Sequence, residues 1–276
     1  MGYAEIVLFA GYVYSSRAKA AASEREQKLL IKEEEIKVLN TQLRDRERLR
    51  LLDIVTGIPN QLKWERDVEN LSKTDDPDPR YHMIMIDLDN FREINRTYGY
   101  EKGDQVIKEF AQSIFSSMRR DEHIYKNFIR GKNAAPVKIE ELWRRIYRKY
   151  TGGDEFLITI NGDQAEAVGF LVRLERDLLP RINQRISKFI LERDVKLSFH
   201  VGMCEWILGD DSRDGLLRLE GVLRKAIISS TSRLYFEPPM TPEKYEQQEE
   251  KRTGNKPRWN PYREVERLFA KAAQRS

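Results

Sequence analysis

Thr151-Gly152-Gly153-Asp154-Glu155-Phe156-Leu157-Ile158-Thr159-Ile160 joins a glycine pair to two carboxylates and then to an alternating run that reads as a β-strand. Two consecutive glycines remove both Cβ atoms at a turn, so the backbone can reach φ > 0 and approach a ligand closely. Side chains alternate along a strand, so Asp154 and Glu155 point to opposite sides of a sheet or to its end. Alone, such a stretch also suits a tight hairpin with exposed acids. A second acidic strand end upstream argues otherwise: Met83-Ile84-Met85-Ile86-Asp87-Leu88-Asp89. Tyr81 to Ile86 is a short apolar run that fits a buried strand, and Asp87 and Asp89 lie at its end, where a hard divalent cation would find oxygen ligands.

The residues that follow, Phe91-Arg92-Glu93-Ile94-Asn95-Arg96-Thr97-Tyr98-Gly99-Tyr100-Glu101-Lys102-Gly103-Asp104-Gln105-Val106-Ile107, extend that signal. The whole stretch resembles the GGDEF family of diguanylate cyclases, whose pattern is roughly D-x-D-x-F-K-x-I-N-D-x-x-G-H-x-x-G-D-x-x-L. Asp87, Asp89, Phe91, Ile94, Asn95, Gly99, Gly103 and Asp104 match it in register; Arg92 replaces Lys, and Arg96 and Tyr100 depart from the usual Asp and His. A third match precedes these. Asp53-Ile54-Val55-Thr56-Gly57-Ile58-Pro59-Asn60-Gln61 looks like D-x-L-T-G-L-x-N-R, with Gln61 in place of the arginine.

The resemblance implies an α+β fold: a ferredoxin-like palm of the nucleotidyl cyclase type, with an antiparallel-containing central sheet flanked by helices. It implies condensation of two GTP into cyclic di-GMP across a homodimer, with Asp87, Asp154 and Glu155 catalytic. Asp87, Asp154 and the Leu88 carbonyl would hold two Mg²⁺ per active site, with Mn²⁺ able to serve. Glu155 would deprotonate or orient the ribose 3′-hydroxyl. Asn95 and Asp104 would read guanine, since a carboxylate can accept from both N1–H and the exocyclic amine while adenine offers no such pair. Phe91, Arg92 and Gly153 belong to the same substrate-binding set.

Two departures qualify this reading. The family passes from an R-x-x-D element to the glycine pair within a few residues; here an insertion of about 126–150 intervenes, with Arg120-Asp121 as the remnant, so the product-inhibition site is expected to be missing. Ile139 to Tyr150 reads as an inserted helix dense in Arg and aromatics (Trp143, Arg144, Arg145, Tyr147, Arg148), either an amphipathic surface helix or a contact for phosphate or a partner. Members also carry A-L-Y-x-A-K-x-x-G-R-N after the last helix, with lysine and arginine reaching the triphosphate. Leu223 to Arg233 keeps the apolar spacing without that lysine, leaving Lys225 or Arg233 to substitute. The alternative function is therefore a degenerate GGDEF domain that binds GTP or another nucleotide as a regulator without cyclising it.

Composition fits one catalytic domain with extensions. Of 276 residues, 34% are charged, and the net charge of +4 is modest enough that no nucleic-acid partner is expected. Cys204 is the only cysteine, which excludes an internal disulfide, and His82, His123 and His200 are too scattered to suggest zinc. Residues 1–16 form a short apolar segment. Tyr3 to Tyr14 is apolar enough to touch a bilayer but falls short of the roughly 20 residues a spanning helix needs. With Arg17 and Lys19 next, the expected location is the cytoplasm, with residues 3–14 either contacting the inner face of the membrane or simply starting a helix. Residues 17–52 read as a helical coiled-coil linker in which Leu29, Ile36 and Leu43 are spaced by seven with Leu39 between them, a seam that would pair two copies. Residues 53–237 would be the catalytic domain and 238–276 a charged extension. Within them, Trp64 to Leu71, Gln105 to Met118, Gln164 to Glu192 (interrupted near Pro180) and Leu216 to Ser230 read as helices. Thr74 to Pro79 reads as a loop, Val195 to Trp206 as a strand containing Gly202, and Tyr262 to Ala273 as a terminal helix that packs on the domain, pairs with the inserted helix or stays mobile.

Overall fold

A computed structural model describes residues 3–71, 81–130, 146–150, 153–190, 196–206 and 211–273. The chain divides into two units, residues 1–50 and 51–276. The first is one helix, α1 (Tyr3–Arg50), 48 residues long. Leu29, Ile36, Leu39 and Leu43 are all exposed on it. Among the described residues no helix is long and apolar enough to cross a membrane.

The second unit is built on a five-stranded sheet of β1 (Tyr81–Leu88), β2 (Ile146–Arg148), β3 (Glu155–Asn161), β4 (Phe199–Glu205) and β5 (Leu234–Glu237), in the order β2-β3-β1-β4-β5. All neighbours are antiparallel except β4 and β5. Helices interleave with the strands: α2 (Gln61–Leu71), α3 (Phe91–Tyr98), α4 (Tyr100–Arg130), α5 (Gln164–Arg173), α6 (Leu179–Ile186), α7 (Ser212–Ile228), α8 (Pro242–Thr253) and α9 (Pro261–Ala273). The α+β palm expected from the sequence is the observed fold.

Each face of the sheet carries a core, which is why β1 is an almost unbroken apolar run rather than an alternating one. Ile84, Ile86, Leu88, Phe156, Ile158, Phe199 and Val201 belong to one core with residues of α4, α5, α6 and α9. Met83, Met85, Leu157 and Cys204 belong to the other with Trp64 and Val68 of α2 and Leu219, Val222 and Leu223 of α7. Cys204 is thus a core residue. Trp64 and Trp206 meet edge to face, their centroids 6.2 Å apart.

Three expectations change. Residues 139–145 of the expected inserted helix, including Trp143, Arg144 and Arg145, lie outside the described residues, and Ile146–Arg148 is a strand, not a helix. Ile146 and Tyr147 pair with Ile158 and Leu157 and are buried on opposite faces, so sheet pairing overrides the local helical pattern. The break expected near Pro180 is a π-helical turn at Leu174–Leu178. Proline lacks an N–H and its ring crowds the carbonyl four residues back, so the widened turn ends where Pro180 can sit in the first turn of α6. The helix expected at Leu216 to Ser230 is α7, and it is not the last. After Pro238 and Pro239 come α8 and α9, whose Tyr262, Val265 and Phe269 are fully buried, so of the three fates left open for Tyr262 to Ala273 the chain adopts packing on the domain. The expected loop Thr74 to Pro79 lies outside the described residues.

Gly202 lets α7 lie directly on β4. A Cβ there would meet the Leu223 backbone nitrogen at 2.4 Å and its Cα at 2.6 Å. Gly202→Ala is expected to destabilise the domain by about 1–3 kcal/mol through overpacking, read as a lower urea midpoint with an unchanged slope.

Candidate active site

The ends of β1 and β3 create the site. Antiparallel register places Asp87 opposite Glu155 on one side and opposite His200 of β4 on the other. Directly opposed residues project from the same face, so the three side chains form one row across the sheet. Asp154 precedes β3, and its carbonyl accepts the Leu88 N–H at 3.3 Å. These residues line a cleft of about 900 Å³ together with Asp89, Arg92, Ser198, Ser230 and Arg233.

Electrostatics mark the cluster as short of positive charge. Burial, followed by the Asp154, Glu155 and Asp89 charges, pushes the Asp87 carboxyl up to about 7, with His200 pulling the other way. Burial and the Glu155 charge raise Asp154 as well, against Arg92 and Arg148. Asp89 behaves differently. Burial would raise it, yet hydrogen bonds from His200 and Ser198 outweigh that effect and hold it below its ordinary value. With Asp89 ionised, His200 Nδ1 carries the proton in that bond. Among the described residues no three His, Cys, Asp or Glu side chains already converge on one cation position. Mg²⁺ is usually held by one or two carboxylates together with substrate phosphates. Two raised, neighbouring carboxyls beside a backbone carbonyl are a donor set that fits a hard cation.

The structure brings most sequence-predicted residues near this cleft and separates others. Phe91 is buried under α3, whereas Arg92 is exposed at the cleft edge. Asn95 lies beside the glycine before Asp104: a Cβ on Gly103 would fall 1.8 Å from Asn95 Oδ1 and 3.2 Å from the Phe91 ring. That spacing of Asn, Gly and Asp therefore has a packing reason. Asn95 Oδ1 is buried without a hydrogen-bond partner, and Asp104 is exposed beside it, so both retain capacity for an incoming ligand. Gly153 sits at φ +77°, where a side chain would be strained; Thr151 and Gly152 lie outside the described residues.

The two candidates for a phosphate clamp are committed elsewhere. Lys225 pairs with Glu237 and lies over the Tyr235 ring, and it is not among the residues that line the cleft. Arg233 does line the cleft, but it is only 4% exposed and its guanidinium donates to Glu175 at 2.8 Å and to the Phe199 carbonyl at 2.9 Å. The Phe199 and Phe269 rings flank it.

Three residues were missed by sequence reasoning. Arg148, 8% exposed, donates to the Gly153 carbonyl and to Asp53 Oδ1 at 3.2 Å, while Asp53 also accepts from the Thr56 N–H and hydroxyl. Thus one buried arginine joins the Asp53–Thr56 turn to the turn before β3. Lys149 bonds Glu155, and His200 completes the row at Asp87. No local signal marked this segment: Ile146-Tyr147-Arg148-Lys149 is two apolar residues followed by two basic ones, without the alternation of a half-buried strand.

The Asp87 shift carries a stability consequence. Its folded value lies near 7, above its ordinary value of 3.8, so between those limits the folded state binds more protons and stability falls as pH rises. The unfolding temperature of metal-free protein is expected to drop between about pH 5 and about pH 8, with Asp87→Asn flattening the drop and millimolar Mg²⁺ reversing much of it.

Comparison with known proteins agrees with the geometry. Residues 50–127 match the family model described as "Diguanylate cyclase, GGDEF domain". The match ends inside α4, at the start of the inserted segment. The chain is 26% identical over 122 residues to Diguanylate cyclase DgcS of Shewanella oneidensis, covering 44% of this chain and 33% of that protein. It is 23% identical over 155 residues to Diguanylate cyclase DosC of Escherichia coli K12, covering 55% and 27% respectively. The chain thus spans about a third or less of the length of these relatives. The crystal structure of the coiled coil and GGDEF domain of DgcB from Caulobacter crescentus, in complex with c-di-GMP, superposes with a TM-score of 0.51 at 18% identity, over 76% of this chain and 98% of that one, a likeness of fold. By this match, residues 50–127 of the chain belong to a GGDEF domain.

Proposed function

We propose that the protein is a diguanylate cyclase that condenses two GTP into cyclic di-GMP across a homodimer. The observation that carries this reading is the convergence of Asp87, Asp154 and Glu155 at two paired strand ends, with Asp87 raised to about 7 by burial and unbalanced negative charge. A divalent cation would stabilise the ionised form of such a group. Asp87, Asp154 and the Leu88 carbonyl would hold two Mg²⁺, or Mn²⁺, which when bound would neutralise the triphosphate and favour the attacking alkoxide. Glu155 accepts the proton of the ribose 3′-hydroxyl or orients it toward the α-phosphate of the GTP on the partner. Asn95, with its unpartnered Oδ1, and Asp104 select guanine, and Arg92 approaches the phosphates. What the chain contributes is mainly position and charge.

Each half-site would carry one GTP, so turnover requires two copies. The exposed seam of Leu29, Ile36, Leu39 and Leu43 on α1 offers the pairing surface, and the apolar sequence of residues 3–14 would supply a contact with the inner face of the membrane. A second reading, a GTP-binding regulator without turnover, is favoured by one observation: Lys225 and Arg233 are both engaged in internal ion pairs instead of being presented to a triphosphate.

Incubation with GTP, ATP and Mg²⁺ followed by separation of products distinguishes the two. Cyclic di-GMP from GTP alone is the expected outcome; GTP binding without any dinucleotide would establish the regulator. Glu155→Gln is expected to lower turnover at least about 100-fold while nucleotide binding persists. Asp104→Asn is expected to weaken GTP binding by about 10-fold or more and to narrow the GTP over ATP preference, measured by competitive titration.

A further inference from the structure

Glu155 is held before any substrate arrives. Its Oε2 accepts from Lys149 Nζ at 2.9 Å, and the same ammonium donates to Glu220 Oε1 of α7 at 2.8 Å. Lys149 directly follows β2, and its side chain is only 8% exposed, against 18% for Glu155 and 39% for Glu220. Burial works against the charged ammonium, but the two carboxylates more than reverse that and raise its pKa, so Lys149 remains a cation.

The direction of the contact matters. Glu155 lines the cleft and Lys149 does not, so the lysine can reach the chemistry only through the glutamate. Glu155 Oε1 has no hydrogen-bond partner among the described residues, so the bond to Oε2 fixes the carboxylate while leaving one oxygen for a ligand. A glutamate has three side-chain torsions, and an unpinned carboxylate at a strand end would spend much of its time away from the productive position. Lys149 also belongs to the segment whose length separates this chain from the family pattern, and it is anchored from a second element by Glu220.

We infer that Lys149 is a positioning residue that fixes the Glu155 carboxylate for the 3′-hydroxyl of GTP. The inference rests on the cyclase reading above. It differs from a phosphate-binding role for the same lysine, since loss of a phosphate contact raises KM whereas loss of Glu155 orientation lowers kcat.

Steady-state turnover of GTP by the full chain, with saturating Mg²⁺, tests it. Lys149→Met is expected to lower kcat by about 30-fold to 100-fold with KM within about threefold of wild type. Lys149→Arg, which keeps the charge and can reach both acids, should restore kcat to within about fivefold. The double variant Lys149→Met/Glu155→Gln should lose little beyond Glu155→Gln alone, because the lysine acts through the glutamate. Lys149→Met leaves two carboxylates facing each other without the ammonium, so Lys149→Met/Glu220→Gln, which removes one charge of each sign, serves as a second test and should show the same loss of kcat. Retained kcat in both Met variants, a rise in KM alone, or additive losses with Glu155→Gln would overturn the inference while leaving the cyclase reading intact. Absence of turnover in the wild-type chain would overturn both.

Discussion

The pairing of β1 with β3 on one side and β4 on the other sets Asp87 across from both Glu155 and His200, and the site depends on that register. Side chains repeat every two residues along a strand, so a slip of one residue would turn Glu155 or His200 to the opposite face. It would also pull Phe156 and Ile158 off one core and Leu157 off the other. Apolar packing in the middle of the strands therefore fixes the chemistry at their ends. That arrangement works against local stability, because like charges opposed across strands repel and burial favours their neutral forms. The two cores tolerate the acids rather than benefiting from them.

Basic residues from outside the row hold the acids in place. The short strand β2 is decisive here: its alternation sends Arg148 to the Gly153 carbonyl and Asp53, and the next residue, Lys149, to Glu155 and Glu220. One side chain secures the turn backbone and the other secures the acid that follows it. Buried ion pairs of this kind add little net stability over apolar contacts, but removing one partner leaves a charge stranded and is costly. Their contribution in this domain is geometric.

The fold was readable because its strongest signals are local. The apolar run before Asp87, the glycine pair before Asp154 and the Asn95, Gly103, Asp104 spacing each encode a structural requirement in neighbouring residues. The site was less readable where partners lie far apart in sequence. Arg148 and Lys149 looked helical because Trp143 to Arg148 has aromatic and basic residues at helical spacing, and only the partners Leu157 and Ile158 turn Ile146–Arg148 into a strand. His200 looked scattered because its relation to Asp87 exists only through the sheet. The burial of Phe269 was equally hidden: a charged segment with a few apolar residues becomes core only where those residues meet Phe199 and the Arg233 guanidinium.

Charge balance then limits how a nucleotide can enter. Asp87, Asp89, Asp154 and Glu155 face the cleft, and three of the nearby cations are already matched: Arg233 with Glu175 and Asp89, Lys149 with Glu155 and Glu220, and Arg148 with Asp53. Arg92 is the cleft-lining guanidinium left at the exposed edge. A triphosphate approaching this cleft without divalent cations would meet net repulsion, and one arginine at the surface, screened by solvent and salt, cannot reverse it. On the cyclase reading, binding of cation and nucleotide would therefore be coupled here, more so than in a site with a lysine and an arginine directed at the phosphates. The sequence departures after α7 and the raised Asp87 carboxyl are two sides of one condition: on the cyclase reading, the charge that the side chains do not supply would have to come from a bound cation.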